Sequence, residues 1–375
     1  MKVSIKQQQL SSGLGIVSRA VSPRSTLPVL GNVLLASDEG RLRLSATNLE
    51  LGITAWIDAT IEMEGSTTVP ARTFSDLIST LPGDNVQLTL DEKKQSLNIK
   101  SGGSVTDIKV IDADEFPPMP VPDLAEGIQM NVAEFKEIIH QVAFSASTDD
   151  ARPVLQGVLI TVDDSTITLA ATDGFRISVR TSSLLSGSSR TLKAIVPARA
   201  LNELARIASD GGQIVTMIIQ PERGQVLFHL KDAELVSQLI EGNFPDYKVI
   251  IPKSFKTSTT LSTSAFLKAC RQTEIIARDS NNVVRLNIPG GGEKPVQVEL
   301  TAQSEETGSG ISRIEAAVDG QGLVIAFNVV YLREVLDVIK SPSVALETNA
   351  NNTPGMIRPI GDDDFKYVIM PMHLG

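Results

Sequence analysis

Cysteine is almost absent from this 375-residue sequence: Cys270 stands alone. One thiol cannot build an internal disulfide framework, which excludes the small stapled folds of secreted proteins and fits a reducing cytoplasm. With no CxxC partner and apolar neighbours on a helix, Cys270 reads as a buried structural thiol. Aromatic residues are scarce at 4%, and no run approaches the roughly 18 apolar residues of a membrane span. The opening MKVSIKQQQL alternates like a strand and lacks the apolar core of a secretory signal. His140, His229 and His373 are far apart and show no HExxH or comparable ligand spacing, so no metal is expected. Phosphate-cradling GxxxxGK[ST] and GxGxxG runs and the GxSxG elbow are also missing. Gly290–Gly292, between Pro289 and Pro295, reads as a hairpin loop. No cofactor is expected. What remains is a cytosolic, multidomain globular chain, with 42% hydrophobic residues to build several cores.

The net charge of −10 argues against a surface coated in basic patches and against a membrane-surface binder. It does not exclude nucleic acid, because a ligand responds to the local field rather than to the sum. An acidic exterior around a basic lining would carry the same total. Acidic pairs occur at Asp149–Asp150, Asp163–Asp164 and Asp362–Asp364, and turn chemistry alone explains them. Asp173, in ATDGFR, is the one acid that invites a catalytic reading.

Internal repetition is the strongest signal. PVLGNVLL from Pro28 returns as PVLQGVLI from Pro153, an offset of 125, and LSATNLELGI from Leu44 returns as LAATDGFRIS from Leu169 at the same offset. VPARTFSDL at Val69 matches VPARALNEL at Val196, offset 127, and DADEFP ending at Pro117 answers EGNFPDY around Pro245. A fainter third copy keeps the order: VELTA at Val298 and FNVVYLREVL at Phe327 both follow the second copy by 131. The register predicts three similar domains, residues 1–122, 123–252 and 253–375. It also pairs Asp173 with Asn48, which argues for a shared structural turn rather than an acid catalyst.

Each repeat carries two helical signals among alternating strand runs such as RLRLSA, NVQLTL, TITLAA and VQVEL. Leu10, Leu14, Val17 and Val21 share one helical face; so do Phe74, Leu77, Ile78 and Leu81 before Pro82. Asn131-x-x-Glu134 is a capping-box pattern ahead of Phe135, Ile138, Ile139 and Val142. Pro197 opens a fourth helix at the favoured first position, Ser264–Arg278 a fifth, and Asn328 caps a sixth. Each domain is therefore expected to be α+β, two helices with antiparallel strands.

The segments TLPVLGNVLL, ATDGFR, VPAR, GNFPDY and the terminal YVIMPMHLG resemble the bacterial sliding clamps, the β subunits of DNA polymerase III. The likeness spans the whole chain. It implies a non-enzymatic ring, a head-to-tail homodimer of six domains around duplex DNA, with helices inside and sheets outside. Independently, twelve helices packed roughly 8–10 Å apart make a circumference of about 100–120 Å. Allowing about 10 Å of helix thickness leaves a hole of roughly 20–28 Å, the width of a duplex. The predicted helices hold 11 Lys+Arg against 7 Asp+Glu, whereas the chain holds 34 against 44.

Phosphate contacts in such a ring are sequence-independent and salt-sensitive. The resemblance implies Arg24 as one contact; helix position adds Arg72, Lys136, Arg199, Lys268 and Arg271. Thr148-Asp149 stands where some relatives carry His-Gln, which puts that local contact in question. The resemblance also implies a groove for short linear peptides of DNA polymerase III alpha, clamp-loader subunits, other polymerases and repair proteins. Carried over by motif, its lining is Leu155, Thr172, Gly174, Phe175, Arg176 and Ile177, then Pro245 and Ile250. The C-terminal segment adds Val368, Met370, Pro371 and Met372. Phe175 and His373 occupy positions where relatives often differ. Ile108, Ile275 and Ile276 match dimer-interface positions. Two rival readings stay open: a carboxylate-dependent hydrolase using Asp149, Asp150 or Asp173, and a repeat scaffold that binds only proteins.

Overall fold

Helices form where the apolar spacing predicts them. The structure is a computed structural model that describes residues 1–22, 25–82, 85–121, 123–185, 191–209 and 212–373. Helix α1 (Gln7–Val17) buries Leu10, Gly13, Leu14 and Val17. A Cβ on Gly13 would stand 2.8 Å from Leu44 Cδ1, so a larger residue there would have to displace the end of that side chain. Val21 falls outside the helix, which tightens into a 3-10 turn over Ser18–Ala20. Helix α2 (Ala71–Thr80) packs against α1 and buries Ala71, Phe74 and Ile78.

Helix α3 (Val132–Val142) starts at Asn131, whose Oδ1 accepts the Ala133 amide at 3.0 Å. Its buried Phe135, Ile138, Ile139 and Val142 each contribute about 1.5–3 kcal/mol. Helix α4 (Ala198–Ile207) begins one residue later than the sequence suggests. Pro197 is instead the last residue of a strand, a place where its missing N–H costs little. Ser262 caps α5 (Thr263–Ala277), and Asn328 caps α6 (Val329–Val338), which packs on α5. Among the described residues, no helix is long and apolar enough to cross a membrane.

The described residues cluster into two compact units, Met1–Phe135 with Arg199–Leu239, and Lys136–Ala198 with Ile240–Gly375. The first unit holds a five-stranded sheet, in spatial order Thr60–Met63, Lys2–Lys6, Asn85–Asp91, Ser96–Ser101 and Ser104–Lys109. It also holds an eight-stranded sheet. The second unit holds one antiparallel sheet of twelve strands. Strands Val283–Ile288 and Val296–Ser304 are neighbours in it, and Gly290–Gly292 lies in the connection between them, as the sequence suggests.

One pairing recurs between repeats. Strand Leu51–Asp58 of the first repeat pairs antiparallel with Ala233–Gln238, the last strand of the second, Leu51 opposite Ser237. Strand Arg176–Ser183 of the second repeat pairs in the same way with Phe365–Ile369, the last strand of the third, Arg176 opposite Ile369. The third repeat's counterpart is the long strand Gly308–Gly320. Its end, Ala316–Gly320, pairs with Thr257–Leu261, but along Gly308–Glu315 its only described strand partner is Val296–Ser304. The first repeat's last strand, Ser104–Lys109, is likewise an edge, paired among the described residues only with Ser96–Ser101. Two matching edges remain open.

Candidate functional site

The ATDGFR segment folds into a turn stitched by its own side chains. Thr172 Oγ1 donates to the Arg176 carbonyl at 2.6 Å and accepts the Gly174 amide at 3.0 Å. Asp173 Oδ1 accepts the Phe175 and Arg176 amides at 2.9 and 3.1 Å. Gly174 takes a φ of +95°, open to glycine at little cost. The first repeat builds the same turn: Thr47 Oγ1 bonds the Leu51 carbonyl, and Asn48 Oδ1 accepts the Glu50 and Leu51 amides. Asn48 does there what Asp173 does here, so the carboxylate at Asp173 serves as a turn acceptor. The catalytic reading of this acid fails on that equivalence.

Asp149 and Asp150 are also spoken for. Asp149 accepts the Ala151 amide and the Arg152 guanidinium, and those bonds hold its carboxyl below the usual range. Asp150 accepts from Gln156 at 2.8 Å.

Behind the turn, Arg176 is almost buried and fully engaged. Its Nε donates to Asp173 Oδ2 at 3.0 Å, its Nη1 to Glu334 of α6, and its Nη2 to the Phe144 carbonyl at 2.9 Å. Its guanidinium carbon also lies 5.3 Å from the Phe144 ring centroid. Burial opposes the charge, but Tyr367, Glu334 and Asp173 outweigh it and hold the guanidinium pKa above its ordinary value. Burial pushes the Tyr367 hydroxyl up as well, and that hydroxyl donates to the Tyr331 carbonyl at 3.1 Å.

The turn forms one wall of an apolar cavity of about 100 Å³. Leu155, Thr172, Gly174, Phe175, Arg176 and Ile177 contribute that side. Pro245, Tyr247 and Ile250 come from the linker, Val368 from the last strand and Met370 from the residue just after it. Ten of the twelve residues carried over by motif therefore meet in one place. Pro371 and Met372 do not line it. The Met370 amide donates to the Phe175 carbonyl, and the Met372 amide bonds the Ala326 carbonyl at 2.8 Å. Tyr247 is the lining residue that the sequence reading missed, although the quoted GNFPDY segment contains it. Exposed Phe175, Ile250 and Met370 form an apolar lip, above a buried cluster that includes Leu159, Ile177, Tyr247, Met356 and Val368.

The six proposed phosphate contacts divide unevenly. Arg24 lies outside the described residues. Arg72, on α2, is 95% exposed and only loosely paired with Asp76 at 3.8 Å. Arg199 and Lys268 are exposed on α4 and α5. Arg271 is exposed but bonded to Asp337 at 2.6 Å, and Lys136 on α3 is half-buried and has a partner. Of the proposed dimer residues, Ile275 is exposed on α5, Ile276 packs against the buried core, and Ile108 is buried in the edge strand Ser104–Lys109.

Three family models match the chain in series: the N-terminal domain of the DNA polymerase III beta subunit over residues 1–120, the central domain over 129–246, and the C-terminal domain over 248–373. The chain is 34% identical over 394 residues to the beta sliding clamp of Synechocystis and 32% identical over 377 to that of Synechococcus elongatus, covering 100% of both chains in each case. Its fold matches the crystal structure of the DNA polymerase sliding clamp from Bacillus subtilis with a TM-score of 0.93, at 28% identity and with 100% of each chain covered.

Proposed function

The chain belongs to the DNA polymerase III beta subunit family and is a DNA sliding clamp, a processivity factor with no catalytic activity of its own; from that premise we propose that two copies close head to tail into the ring. The carrying observation is the pairing between repeats. Twice within the chain, a fourth-position strand of one repeat joins the last strand of the next. The same step, continued, joins Gly308–Glu315 of one copy to Ser104–Lys109 of another. Two copies satisfy both of these matching edges, as a closed head-to-tail assembly requires. Each edge carries an exposed apolar side chain, Val105 on one and Ile311 on the other. Ile275, on the helix packed against the second edge, extends that patch.

The three-domain division, 1–122, 123–252 and 253–375, follows the sequence register and is supported by the three family matches. In the ring, α1–α6 of each copy line the hole, and Arg72, Arg199 and Lys268 offer mobile, sequence-blind contacts to phosphate; Arg24, Lys136 and Arg271 complete the set. The cavity beside Phe175 and Met370 takes short apolar peptides from DNA polymerase III alpha, the clamp loader, other polymerases and repair proteins. Methionine at its lip suits a site that repacks around several ligands. The working compartment is the cytoplasm, where the chromosome of a bacterium lies.

Sedimentation tests the ring interface. Ile311→Glu places a charge in the proposed strand pairing, and the expected result is a monomer with an unchanged fold. A variant that still sediments as a dimer contradicts the edge assignment.

A further inference from the structure

A second depression is built on the same linker and C-terminal segments as the groove. It is an open trough of about 520 Å³ with an apolar floor of Ile251, Pro252, Phe255 and Met356. Phe255 is 45% exposed, an unusual position for a phenylalanine without a partner. The charged residues around the floor are Lys248, Lys253, Lys366, Arg358, Glu347 and Asp363. Both acids are taken: Arg358 bonds Glu347 at 2.8 Å and Asp363 at 2.9 Å. Lys248, Lys253 and Lys366 are exposed and make no ion pair among the described residues. Asp163 and Asp364 share the neighbouring depression with Lys248 and Lys366, again without pairing to them. Within the trough itself four cations stand against two acids, so its lining is net positive in a chain of net charge −10, and the two further acids lie in the neighbouring depression.

The trough and the groove are built on the same elements. The linker turn sends Tyr247 and Ile250 into the groove and Lys248 and Ile251 into the trough. Lys366 and Val368 alternate with Tyr367 and Ile369 along the last strand and so share one face, and Met370 follows directly after it. Lys366 therefore stands about 13 Å from Met370, the span of four extended residues.

We propose that the trough binds an acidic extension of the partner peptide whose apolar core occupies the groove. The proposal rests on the peptide-groove reading and adds a charge preference to it. The lysines attract the carboxylates, and exposed Phe255 covers the stems of the extension. Partners lacking the extension bind the groove alone.

Fluorescence anisotropy on the full chain tests this. The probes are one synthetic peptide with two leucines and a phenylalanine, and the same peptide with four glutamates or four glutamines added at either end. Glutamates at one end should tighten binding about 5- to 20-fold at low salt, with the gain shrinking as salt rises. The triple variant Lys248→Glu, Lys253→Glu, Lys366→Glu should lose that gain while binding the parent peptide as before. Equal binding of glutamate and glutamine probes at both ends overturns the proposal, as does a gain that survives the triple variant. An oligo-dT probe that the lysines bind in place of any glutamate gain overturns it too, because the trough would then be a nucleic-acid site. The groove reading has its own arm: Met370→Ala should weaken every probe. If the parent peptide does not bind the unmodified chain, the groove reading fails and the extension falls with it.

Discussion

The guanidinium carbon of Arg176 lies 4.2 Å from the ring centroid of Tyr331, which ties the turn that walls the groove to helix α6. The cation stacks on the ring face while its nitrogens hold Asp173, Glu334 and the Phe144 carbonyl. The exposed apolar lip of the groove therefore rests on a buried, hydrogen-bonded base. Affinity at such a site comes from apolar contact, and pre-organisation limits what binding loses in ordering the wall.

Removing the base should cost more than removing a contact. Arg176→Ala leaves Asp173 and Glu334 without their cation, a loss of about 3 kcal/mol in urea unfolding. Arg176→Lys keeps the charge but not the planar fork, and should recover only part of the stability. An alanine variant as stable as the parent would mean the network is not holding the turn.

Asp173 separates a turn acceptor from an acid. Asp173→Asn keeps the turn acceptor, as Asn48 does in the first repeat, but removes the charge paired with buried Arg176, and should destabilise by less than the alanine variant while peptide binding persists. Asp173→Ala strips the acceptor from two amides and should destabilise by about 1–2 kcal/mol. Equal damage from both variants would show that the charge, not the turn, is what matters.

The two C-terminal methionines should behave differently. Met370 lines the cavity and Met372 does not. Met370→Ala should weaken a groove-bound peptide roughly tenfold, the worth of burying a side chain of that size. Met372→Ala should change affinity by less than about threefold. Isothermal titration with one peptide distinguishes them; the reverse order would displace the groove.

Cys270 should be a silent thiol until the chain opens. It is fully buried on α5, and burial, with Glu274 adding to it, pushes its pKa up against the opposing effect of Arg333. Iodoacetamide at pH 8 should label the folded chain at least roughly 100-fold more slowly than the chain in denaturant. Rapid labelling of the folded chain would place the thiol at the surface.

The helices were readable because apolar residues at 3.6 spacing have one place to go: Phe135, Ile138, Ile139 and Val142 are all buried. The ends were less so. Val21 and Pro197 lie just outside their helices because a 3-10 turn and a strand claim them. Ten of the twelve residues carried over by motif line one cavity, while Pro371 and Met372 follow the last strand outside its lining, and no pattern marks where a chain leaves its strand. The joins between repeats gave no sequence signal. Alternation shows that Ala233–Gln238 is a strand, but its partner Leu51–Asp58 is chosen by edges that only the fold brings together. The lysine trough was hidden for the same reason, since Lys248 of the linker turn and Lys366 of the last strand are distant in sequence and meet only where the fold brings the two segments together.

Retention on DNA tests the ring most directly. The labelled protein is placed on nicked circular duplex by a clamp loader, and its half-life there is compared with that on the same DNA cut once. A closed ring stays on the circle and runs off the free ends, with little dependence on sequence. Equal loss from circle and line would mean that the two copies do not close around the duplex.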